Sequence, residues 1–588
     1  MRVWAPKAGE VKLHTSETIL DMIEDGGGWW QKDAPFMAHG IDYAYGVDGK
    51  GPFPDPRSPW QPGGVHGFSR WVDHSLFDWT DAGWQQPPLG SAVIYELHVG
   101  TFTPEGTCEA AIHRLDHLKK LGITHVELMP VAQFSGDRGW GYDGVDLYAP
   151  HQAYGGPDGL KRLVDACHQK GLAVLLDVVY NHLGPAGNYL NQFGFYFTSR
   201  YATPWGEAVN FDEAHSHEVR QFFVDNALMW LRDYHMDGLR IDAVHAIVDT
   251  SAIHFLEELG NAVKDLETAL GRHFVLIAES DLNDPRVIRS SAAGGYGIDA
   301  QWNEDFHHAL HAVLTGESQG YYQDFGTLAQ VAKTLTRGLV YDGCFSVFRC
   351  RVHGRPATGL PGSKFVGCLQ NHDQVGNRAL GERISRLLSD GLLKIGAALV
   401  LTSPFVPLLF QGEEWGASTP FLYFTDHQEP ELGEAVKQGR RKEFAAFGWE
   451  TQKIPDPQAE RTFVQSQLKW NELSEQPHHH ILDWYRSLIR LRRSLPDLTS
   501  GQMVQVSVFY DETDQWLIMV RGSVLVVCNF AHKSQHITCA QIKGKKMVLC
   551  SKEGAVAKQG ALAVPPETAA IFVDENKTKT IQGETAHG

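Results

Sequence analysis

The sequence predicts a (β/α)8 barrel of the α/β class, preceded by an N-terminal β-sandwich and followed by a C-terminal β-domain. Three observations lead to this prediction. Eight apolar runs alternate with helical patterns through the middle of the chain. The segments on either side contain short β-like runs and no helical periodicity. At 588 residues, the chain is also too long for a single core.

Residues 1–88 are predicted to form the β-sandwich. They are rich in glycine, proline and tryptophan, and short β-like runs occur at 2–4, 11–13 and 43–45. A cluster of glutamine and proline at 85–88 marks the boundary with the next domain.

Residues 89–498 are predicted to form the barrel. The eight runs lie at 93–99, 125–129, 172–179, 238–244, 274–278, 298–302, 365–369 and 406–410. An open doubly wound sheet is less suitable, because the glycine-rich turn of nucleotide-binding sheets is missing. Long connections at 180–217 and 411–478 follow the third and eighth strands, at the end of a barrel where active sites lie.

Residues 499–575 are predicted to form the C-terminal β-domain, and residues 576–588 a polar tail. Helical periodicity stops near residue 500, and β-like runs follow at 504–509, 515–520, 524–528, 547–550 and 569–573. Turn residues separate these runs, which is typical of a small antiparallel domain.

Composition limits the classes of partner. The chain has 52 Lys and Arg against 70 Asp and Glu, a net charge of −18, which argues against a nucleic-acid surface or a polybasic membrane patch. Its eight cysteines have no C-x-x-C spacing and are predicted to be reduced, packed thiols. Neither a signal peptide nor a long apolar run is found, so a cytoplasmic location without membrane attachment is predicted.

The stretch 237–245, DGLRIDAVH, contains the first candidate catalytic residue. Side chains alternate along an extended strand, so Arg240 and Asp242 are expected to point the same way. A fixed cation lowers the pKa of a neighbouring carboxyl, and an ionised Asp can act as a nucleophile at a sugar carbon. A plain ion pair at a strand end is the alternative for this stretch taken alone.

Three other predicted strands end in polar stretches of the same kind. DVVYNH at 177–182 ends the third strand, LIAES at 276–280 the fifth, and QNHDQ at 370–374 the seventh. Asp242, Glu279 and Asp373 are therefore expected around one rim of the barrel. Like charges gathered in this way raise one another's pKa and cost folding energy, which favours a catalytic role over a stabilising one.

These four stretches resemble the four signature regions of the α-amylase superfamily of retaining glycoside hydrolases, in the same order. The resemblance implies that Asp242 is the nucleophile, Glu279 the general acid/base and Asp373 the carboxylate that stabilises the transition state. It also implies that four further side chains bind the sugar at the cleavage point: Tyr142, His182, Arg240 and His372. For the two histidines, a structural role is the alternative.

Other motifs resemble one branch of this superfamily, the maltooligosyltrehalose trehalohydrolases. They are YELHVGTFTPEGT at 95–107, GWGYDGV at 139–145, AESD at 278–281 and TPF at 419–421. The resemblance implies a carbohydrate-binding-module-like N-terminal sandwich, maltooligosyltrehalose as the substrate, and maltooligosyltrehalose synthase as the pathway partner. A glucan branching enzyme, with the same fold and carboxylates, and a non-catalytic glucan-binding protein are the alternatives.

Three more residues are candidates for substrate binding, each with a structural role as the alternative. His245 follows the fourth strand and Arg378 follows the seventh, so both are expected on the leaving-group side, with salt bridges or packing as alternatives. Trp205 lies in the long loop after the third strand, where a sugar platform and loop packing are equally credible.

No metal and no cofactor are predicted. Asn181 matches a calcium-ligand position of many amylases, but the six to eight oxygen ligands that calcium takes cannot be identified around it.

Overall fold

The computed structural model describes residues 1–203, 205–446, 454–558 and 560–578. The centre of the molecule is a closed barrel of eight parallel strands. All eight predicted strands are found in it, in the predicted order. We number them β1 (Ile94–Leu97), β2 (His125–Leu128), β3 (Ala173–Val178), β4 (Gly238–Ile241), β5 (Val275–Ala278), β6 (Ala300–Trp302), β7 (Phe365–Cys368) and β8 (Val406–Phe410).

The barrel closes through parallel pairing of β8 with β1, where Leu409 lies opposite Tyr95. Every residue of the eight strands is buried, since each strand is covered by side chains inside the barrel and by helices outside it. This double burial explains why the strands are continuous apolar runs in the sequence. Each strand ends where its buried apolar run ends, and the polar residues that follow lie at that end of the barrel.

Helices surround the barrel. The helix Phe255–Leu270 buries Leu256, Leu259 and Val263 at the predicted helical spacing, and His478–Ser494 does the same with its own apolar face. All of residues 279–299 are described and none forms an α-helix, so the strand–helix alternation is interrupted between β5 and β6. The remaining α-helices are Val99–Phe102, Cys108–Ile112, Leu115–Leu121, Gly156–Gln169, Leu190–Phe193, Ser216–Asp233, Glu304–Thr315, Leu328–Arg337, His372–Gly376, Ile384–Leu387, Asp390–Thr402, Pro430–Ala446 and Glu460–Ser466.

Two antiparallel sheets precede the barrel, where the β-sandwich is predicted. One contains three strands and the other five, and the predicted runs at 2–4, 11–13 and 43–45 all lie in strands. The first sheet is formed by Arg2–Trp4, Trp29–Gln31 and Ile23–Glu24; the second by Ile19–Asp21, Val11–Thr15, Asp42–Val47, Lys50–Phe53 and Ser69–Arg70.

Two further sheets follow the barrel, and here the sequence prediction is incomplete. The five predicted runs form one sheet, whose strands are Val506–Asp511, Trp516–Arg521, Val524–Asn529, Thr568–Asp574 and Lys545–Cys550. The predicted start at Val504 is wrong, because this residue lies in a short 3-10 turn and is 91% exposed. A second sheet was not predicted, since its strands are short and partly face solvent: Gln535–Thr538, Val556–Lys558 and Ala561–Val564.

The C-terminal tail, the absence of membrane segments and the state of the cysteines were also predicted from the sequence. Residues 579–588, most of the predicted polar tail, lie outside the described residues, and the domain boundaries stay predictions. Within the described part of the chain, no helix is long and apolar enough to cross a membrane. All eight cysteines are free; five are buried as predicted, but Cys350 is exposed and Cys344 and Cys550 are only half-buried.

A pair of short strands and a helix form part of the long connection after β3. The strands Phe197–Thr203 and Gly206–Val209 form an antiparallel hairpin, and Trp205 lies at its turn. This hairpin carries Trp205 to the rim of the barrel where the strands end.

Candidate active site

The polar residues that follow the strands meet at one end of the barrel. Asp177 is the penultimate residue of β3 and Arg240 that of β4, and Asp242 follows β4 directly. Glu279 follows β5 directly, and Asp373 lies on the short helix after β7. Active sites of such barrels form at the ends where the strands finish. The predicted gathering of three carboxylates around one rim is therefore what the structure contains.

Arg240 holds this group of carboxylates together. Its side chain is completely buried, and its Nη1 lies 2.7 Å from Asp177 Oδ2 and 2.9 Å from Asp242 Oδ1. Its Nη2 lies 2.9 Å from Glu279 Oε2. The guanidinium also stacks on Trp302, 4.2 Å from the ring centroid. One cation thus contacts both the expected nucleophile and the expected acid.

Asp242 is held in its ionised form. Burial alone would raise the pKa of its carboxyl, but Arg240, His182 and the Asn181 amide together outweigh burial, so the pKa lies below its usual value. Asn181 Nδ2 donates to Asp242 Oδ2 at 2.7 Å, and Arg240 donates to the other oxygen. A carboxylate with this low pKa is charged at neutral pH, as a nucleophile must be.

Glu279 is shifted in the opposite direction. Burial, above all, raises the pKa of its carboxyl well above the usual value, and the charges of Asp242, Asp373 and Glu304 add to the rise against the opposing Arg240. Its Oε2 accepts a hydrogen bond from the backbone N–H of Ala243 at 2.7 Å and faces Arg240. With Oε2 surrounded by donors, a proton on this carboxyl belongs on Oε1.

The backbone around Ala243 makes this contact possible. Ala243 has a φ of 38°, in the left-handed region that alanine rarely adopts. The turn follows β4 at once and directs the Ala243 N–H toward Glu279, while the N–H of Val244 donates to the Glu279 carbonyl at 2.9 Å. Strain of this kind often accompanies a functional site, where the surrounding structure holds it in place.

His372 and Asp373 form the third part of the site. Asp373, about one-third exposed, is the most accessible of the three carboxylates, and its Oδ2 lies 3.5 Å from His372 Nε2. Burial alone would lower the pKa of His372, but Asp373 and Glu96 raise it to about 9. His372 is thus a cation at neutral pH, with its Nδ1 on Glu96 at 2.5 Å.

Tyr142 connects this histidine with the arginine. Its hydroxyl accepts from His372 Nε2 at 2.7 Å and donates to Asp177 Oδ2, also at 2.7 Å. Burial raises the pKa of Asp177 to about 6, which still leaves it mostly ionised at neutral pH beside Arg240. Consecutive contacts therefore link Glu96, His372, Tyr142, Asp177 and Arg240 and fix the positions of their side chains.

His182 and Trp205 stack on each other beside the site. Their rings stack with centroids 4.2 Å apart and planes within 5° of each other. His182 Nε2 donates to the Tyr142 carbonyl at 2.9 Å, and burial lowers the pKa of this histidine. Trp205 is 49% exposed, so part of its ring remains free to contact a ligand.

His245 and Arg378, the two remaining candidates for substrate binding, both lie near acidic side chains. His245 lies at the edge of the site, where its Nδ1 is 4.0 Å from Asp281 Oδ1 and its side chain is about one-third exposed. Arg378 forms a two-pronged salt bridge with Glu317, both distances 2.9 Å, and lies 3.6 Å from Glu382. The salt bridge, which was the alternative for Arg378, is observed; a role of this residue in substrate binding stays a prediction.

Four residues at the site were not assigned a role from the sequence. Glu96 lies inside β1 and Asp177 inside β3, so both looked like strand residues. Trp302 and Glu304 surround the end of β6, where no signature stretch was recognised. Burial, reinforced by Asp281 and Asp373, raises the pKa of Glu304 to about 8. The signal available was a charged residue within an otherwise apolar strand, at Glu96 and Asp177.

Asn181, which matches the calcium-ligand position of many amylases, contacts the expected nucleophile. The Asn181 amide nitrogen donates to Asp242, and in the described part of the chain no group of three His, Cys, Asp or Glu side chains is arranged to hold a metal.

Known proteins resemble this chain over most of its length. A family model described as the catalytic domain of alpha amylase matches residues 74–201. A solved structure described as a putative alpha amylase from Salmonella typhimurium is 36% identical with a TM-score of 0.89, covering 98% of this chain and 97% of that chain. The malto-oligosyltrehalose trehalohydrolase of Arthrobacter ramosus is 55% identical over 499 residues, 84% of this chain and 87% of that protein. The chain belongs to the malto-oligosyltrehalose trehalohydrolase family.

Membership of the trehalohydrolase family confirms the resemblance predicted from the signature stretches and from the motifs at 95–107 and 139–145. The protein is a glycoside hydrolase of the α-amylase superfamily. A 1,4-alpha-glucan branching enzyme from Bacillus caldolyticus, the type of enzyme held as the alternative, is 33% identical over 341 residues, 51% of this chain and 50% of that protein. Similarity to the trehalohydrolase family extends much further along the chain.

Proposed function

We propose that this protein hydrolyses the α-1,4 bond that joins a maltooligosaccharide to a terminal trehalose, releasing trehalose. The choice of substrate is supported by the similarity to trehalohydrolases along most of the chain. The observation that carries the chemistry is a pair of carboxyl groups on one cation: Arg240 contacts Asp242, whose pKa is lowered, and Glu279, whose pKa is raised. Two carboxyl groups with different protonation states at one pH are what a retaining hydrolase requires.

In the first step, Asp242 attacks the anomeric carbon of the sugar on the non-reducing side of the bond. Glu279 gives the proton of Oε1 to the glycosidic oxygen, so the carbon–oxygen bond breaks and trehalose leaves with that proton. The maltooligosaccharide is then esterified to Asp242. Asp373 faces the developing positive charge on the sugar ring.

In the second step, the ionised Glu279 accepts a proton from water. The oxygen of this water attacks the anomeric carbon, the ester bond to Asp242 breaks, and the maltooligosaccharide leaves. Asp242 is again a carboxylate and Glu279 again an acid. Burial favours the neutral form of Glu279, which supports the return of its proton before the next cycle.

The sugar at the cleavage point is proposed to lie against Tyr142, His182 and His372, with Trp205 as a platform at the open side. His372 is a cation whose Nε2 lies 3.5 Å from Asp373 Oδ2, and Tyr142 stacks on its ring with centroids 5.1 Å apart. Such a rigid set of donors can orient sugar hydroxyls without the loss of side-chain freedom on binding. His245 and Arg378 remain proposed contributors on the leaving-group side.

Glycosyl transfer by a branching enzyme is the second candidate, because it uses the same triad and the same covalent intermediate. A non-catalytic glucan-binding role is less suitable, since Asp242, Glu279 and Asp373 are all present and lie together at the strand ends. Maltooligosyltrehalose synthase as pathway partner and a cytoplasmic location remain predictions from the sequence.

Product analysis tests the proposal. The purified protein is incubated with maltooligosyltrehalose and, separately, with amylose, and the products are followed by chromatography and proton NMR. We expect free trehalose and a maltooligosaccharide that first appears as the α-anomer, because two displacements retain the configuration. New α-1,6 branches on amylose would favour the branching enzyme, and a β-anomer as first product would exclude Asp242 as nucleophile.

A further inference from the structure

A second cleft lies on the outside of the barrel, between the helices Leu115–Leu121 and His478–Ser494. Its volume is about 410 Å³. Gly122 borders it, and only two residues separate Gly122 from the first residue of β2. The cleft is therefore near the end of the barrel where the strands begin, whereas the candidate active site lies where they finish.

The floor of this cleft is tightly packed. Gly122 has a φ of 99°, and a Cβ there would lie 2.7 Å from Ile489 Cγ2, so only glycine allows the two helices this approach. Arg493 Nη1 donates to the Gly122 carbonyl at 3.3 Å. The distance between the two walls is thus fixed by backbone and side-chain contacts.

The walls of the cleft are strongly positive. No acidic residue lines it, although the whole chain has 70 acidic residues against 52 basic ones. The cations that line it are Lys119, Lys120, Arg486, Arg490 and Arg493. This local concentration of positive charge attracts small anions to the cleft. The negative net charge of the protein repels them from the rest of its surface.

Few of these cations have protein partners. Arg486 Nη1 lies 3.6 Å from Asp483 Oδ1, while Lys119, Lys120 and Arg490 form no ion pair within the described residues. Arg486, Arg490 and Arg493 are spaced by four and three residues, so they share one face of their helix and repel one another. An anion bound between the walls would remove that repulsion.

Cations are favoured at helix C-termini, and this explains the positions of only some of the cations in the cleft. Lys119 and Lys120 lie in the last turn of one helix and Arg493 in the last turn of the other. Arg486 and Arg490 precede the last turn, where the helix gives no such stabilisation. They face the lysines of the neighbouring helix across the cleft.

We propose that this cleft binds a small phosphorylated metabolite, at a site separate from the catalytic one. Guanidinium groups bind phosphate oxygens in pairs, and lysines add point charges. A cavity of about 410 Å³ is in the size range of small-molecule sites. Nucleic acid is a poorer fit, because a net charge of −18 would repel a polyanion beyond the cleft itself.

Calorimetric titration of the complete protein at low ionic strength tests this proposal. The probes are inorganic phosphate, pyrophosphate and a hexose 6-phosphate, with a single-stranded oligonucleotide for comparison. We expect saturable one-site binding of at least one phosphorylated small molecule. Arg490→Glu should weaken it at least about tenfold, the value of one lost charge-assisted hydrogen bond. Arg337→Glu, the same charge change at an exposed end of another outer helix, should leave it within about twofold.

Circular dichroism and trehalose release confirm that each variant is folded. If Arg490→Glu does not fold, Lys120→Glu replaces it, since Lys120 is exposed on the facing helix. Three outcomes overturn the proposal: no saturable binding to the wild-type protein, equal weakening in Arg337→Glu, or binding of the oligonucleotide without binding of any small phosphorylated probe.

Discussion

At the scale of single residues, Asp242 and Glu279 have different roles in the proposed reaction. Asp242→Asn removes the nucleophile and Glu279→Gln the proton donor, while each conserves volume. We expect each to lower kcat for maltooligosyltrehalose by at least about 10⁴-fold, as loss of a catalytic group does in other hydrolases. Steady-state kinetics measures the loss. Asp225→Asn, which breaks the half-exposed ion pair with Arg57, should keep wild-type kcat.

A substrate with a good leaving group separates these two roles. A maltooligosyl fluoride needs no proton for bond cleavage, so Glu279→Gln should release one burst of fluoride and then stall, because no base activates the water. Asp242→Asn should give no burst. Equal behaviour of the two variants with the fluoride would contradict the assigned roles.

Glu304 is expected to tune the alkaline limb of activity. The protonated form of Glu279 is needed, so kcat/KM falls as the pH rises through its raised pKa, while the acid limb comes from Asp242. Ionised Glu304 raises the pKa of Glu279, and its own pKa is about 8. Glu304→Gln removes that charge, so the alkaline limb of a pH–rate profile should move to lower pH with the acid limb unchanged. An alkaline limb that stays in place would exclude this coupling.

At the scale of elements, the hairpin formed by Phe197–Thr203 and Gly206–Val209 brings Trp205 to the site. Trp205→Ala should raise KM about three- to tenfold with little change in kcat, since a lost aromatic contact costs binding in the ground state and the transition state alike. Trp71→Ala, at a partly exposed tryptophan remote from the strand ends, serves as the control. A fall in kcat with unchanged KM would mean that Trp205 acts in the chemical step.

The barrel strands were predictable because burial on both sides leaves a continuous apolar run, which the sequence displays directly. The strands Gln535–Thr538 and Ala561–Val564 were not, because each is short and half of its residues face solvent. The carboxylates after β4, β5 and β7 could be predicted from their position after a strand. Contacts between distant segments could not, and the pairing of Arg378 with Glu317, which lie 61 residues apart, is one example.

At the scale of the whole molecule, a buried histidine joins the segment before the barrel to the barrel itself. His168 contacts Asp81 through Nδ1 at 2.7 Å and Asp237 through Nε2 at 2.9 Å. Trp84 stacks on its ring and donates to Asp237 at 2.8 Å. Asp237 immediately precedes β4, so this cluster fixes the beginning of the strand that carries Arg240 and Asp242.

The stability contributed by this cluster depends on pH. Burial alone would lower the pKa of His168, but the two carboxylates raise it, so the histidine is charged in the folded protein. Its stabilisation is complete below the unfolded pKa of about 6.5 and is lost as the pH rises through the folded pKa. His168→Leu should lower the free energy of unfolding by about 3 kcal/mol near pH 6 and by less in alkaline solution.

Urea denaturation of both proteins at several pH values measures this difference. His273→Leu removes an exposed histidine that pairs with Glu267, and it should change the free energy of unfolding by less than about 1 kcal/mol. A difference for His168→Leu that grows with rising pH would contradict the charged state assigned to His168.

Trehalose release is tested by comparing kcat/KM for maltooligosyltrehalose with that for a maltooligosaccharide of equal length. Trehalose lacks a reducing end and places its hydroxyls differently from maltose, so a site that pairs with them leaves its polar groups unpaired when maltose occupies it. Discrimination on the order of 10⁴ in favour of maltooligosyltrehalose, with trehalose as the product, is the predicted result. Equal kcat/KM values for the two substrates would contradict a trehalose-releasing enzyme and favour a general amylase.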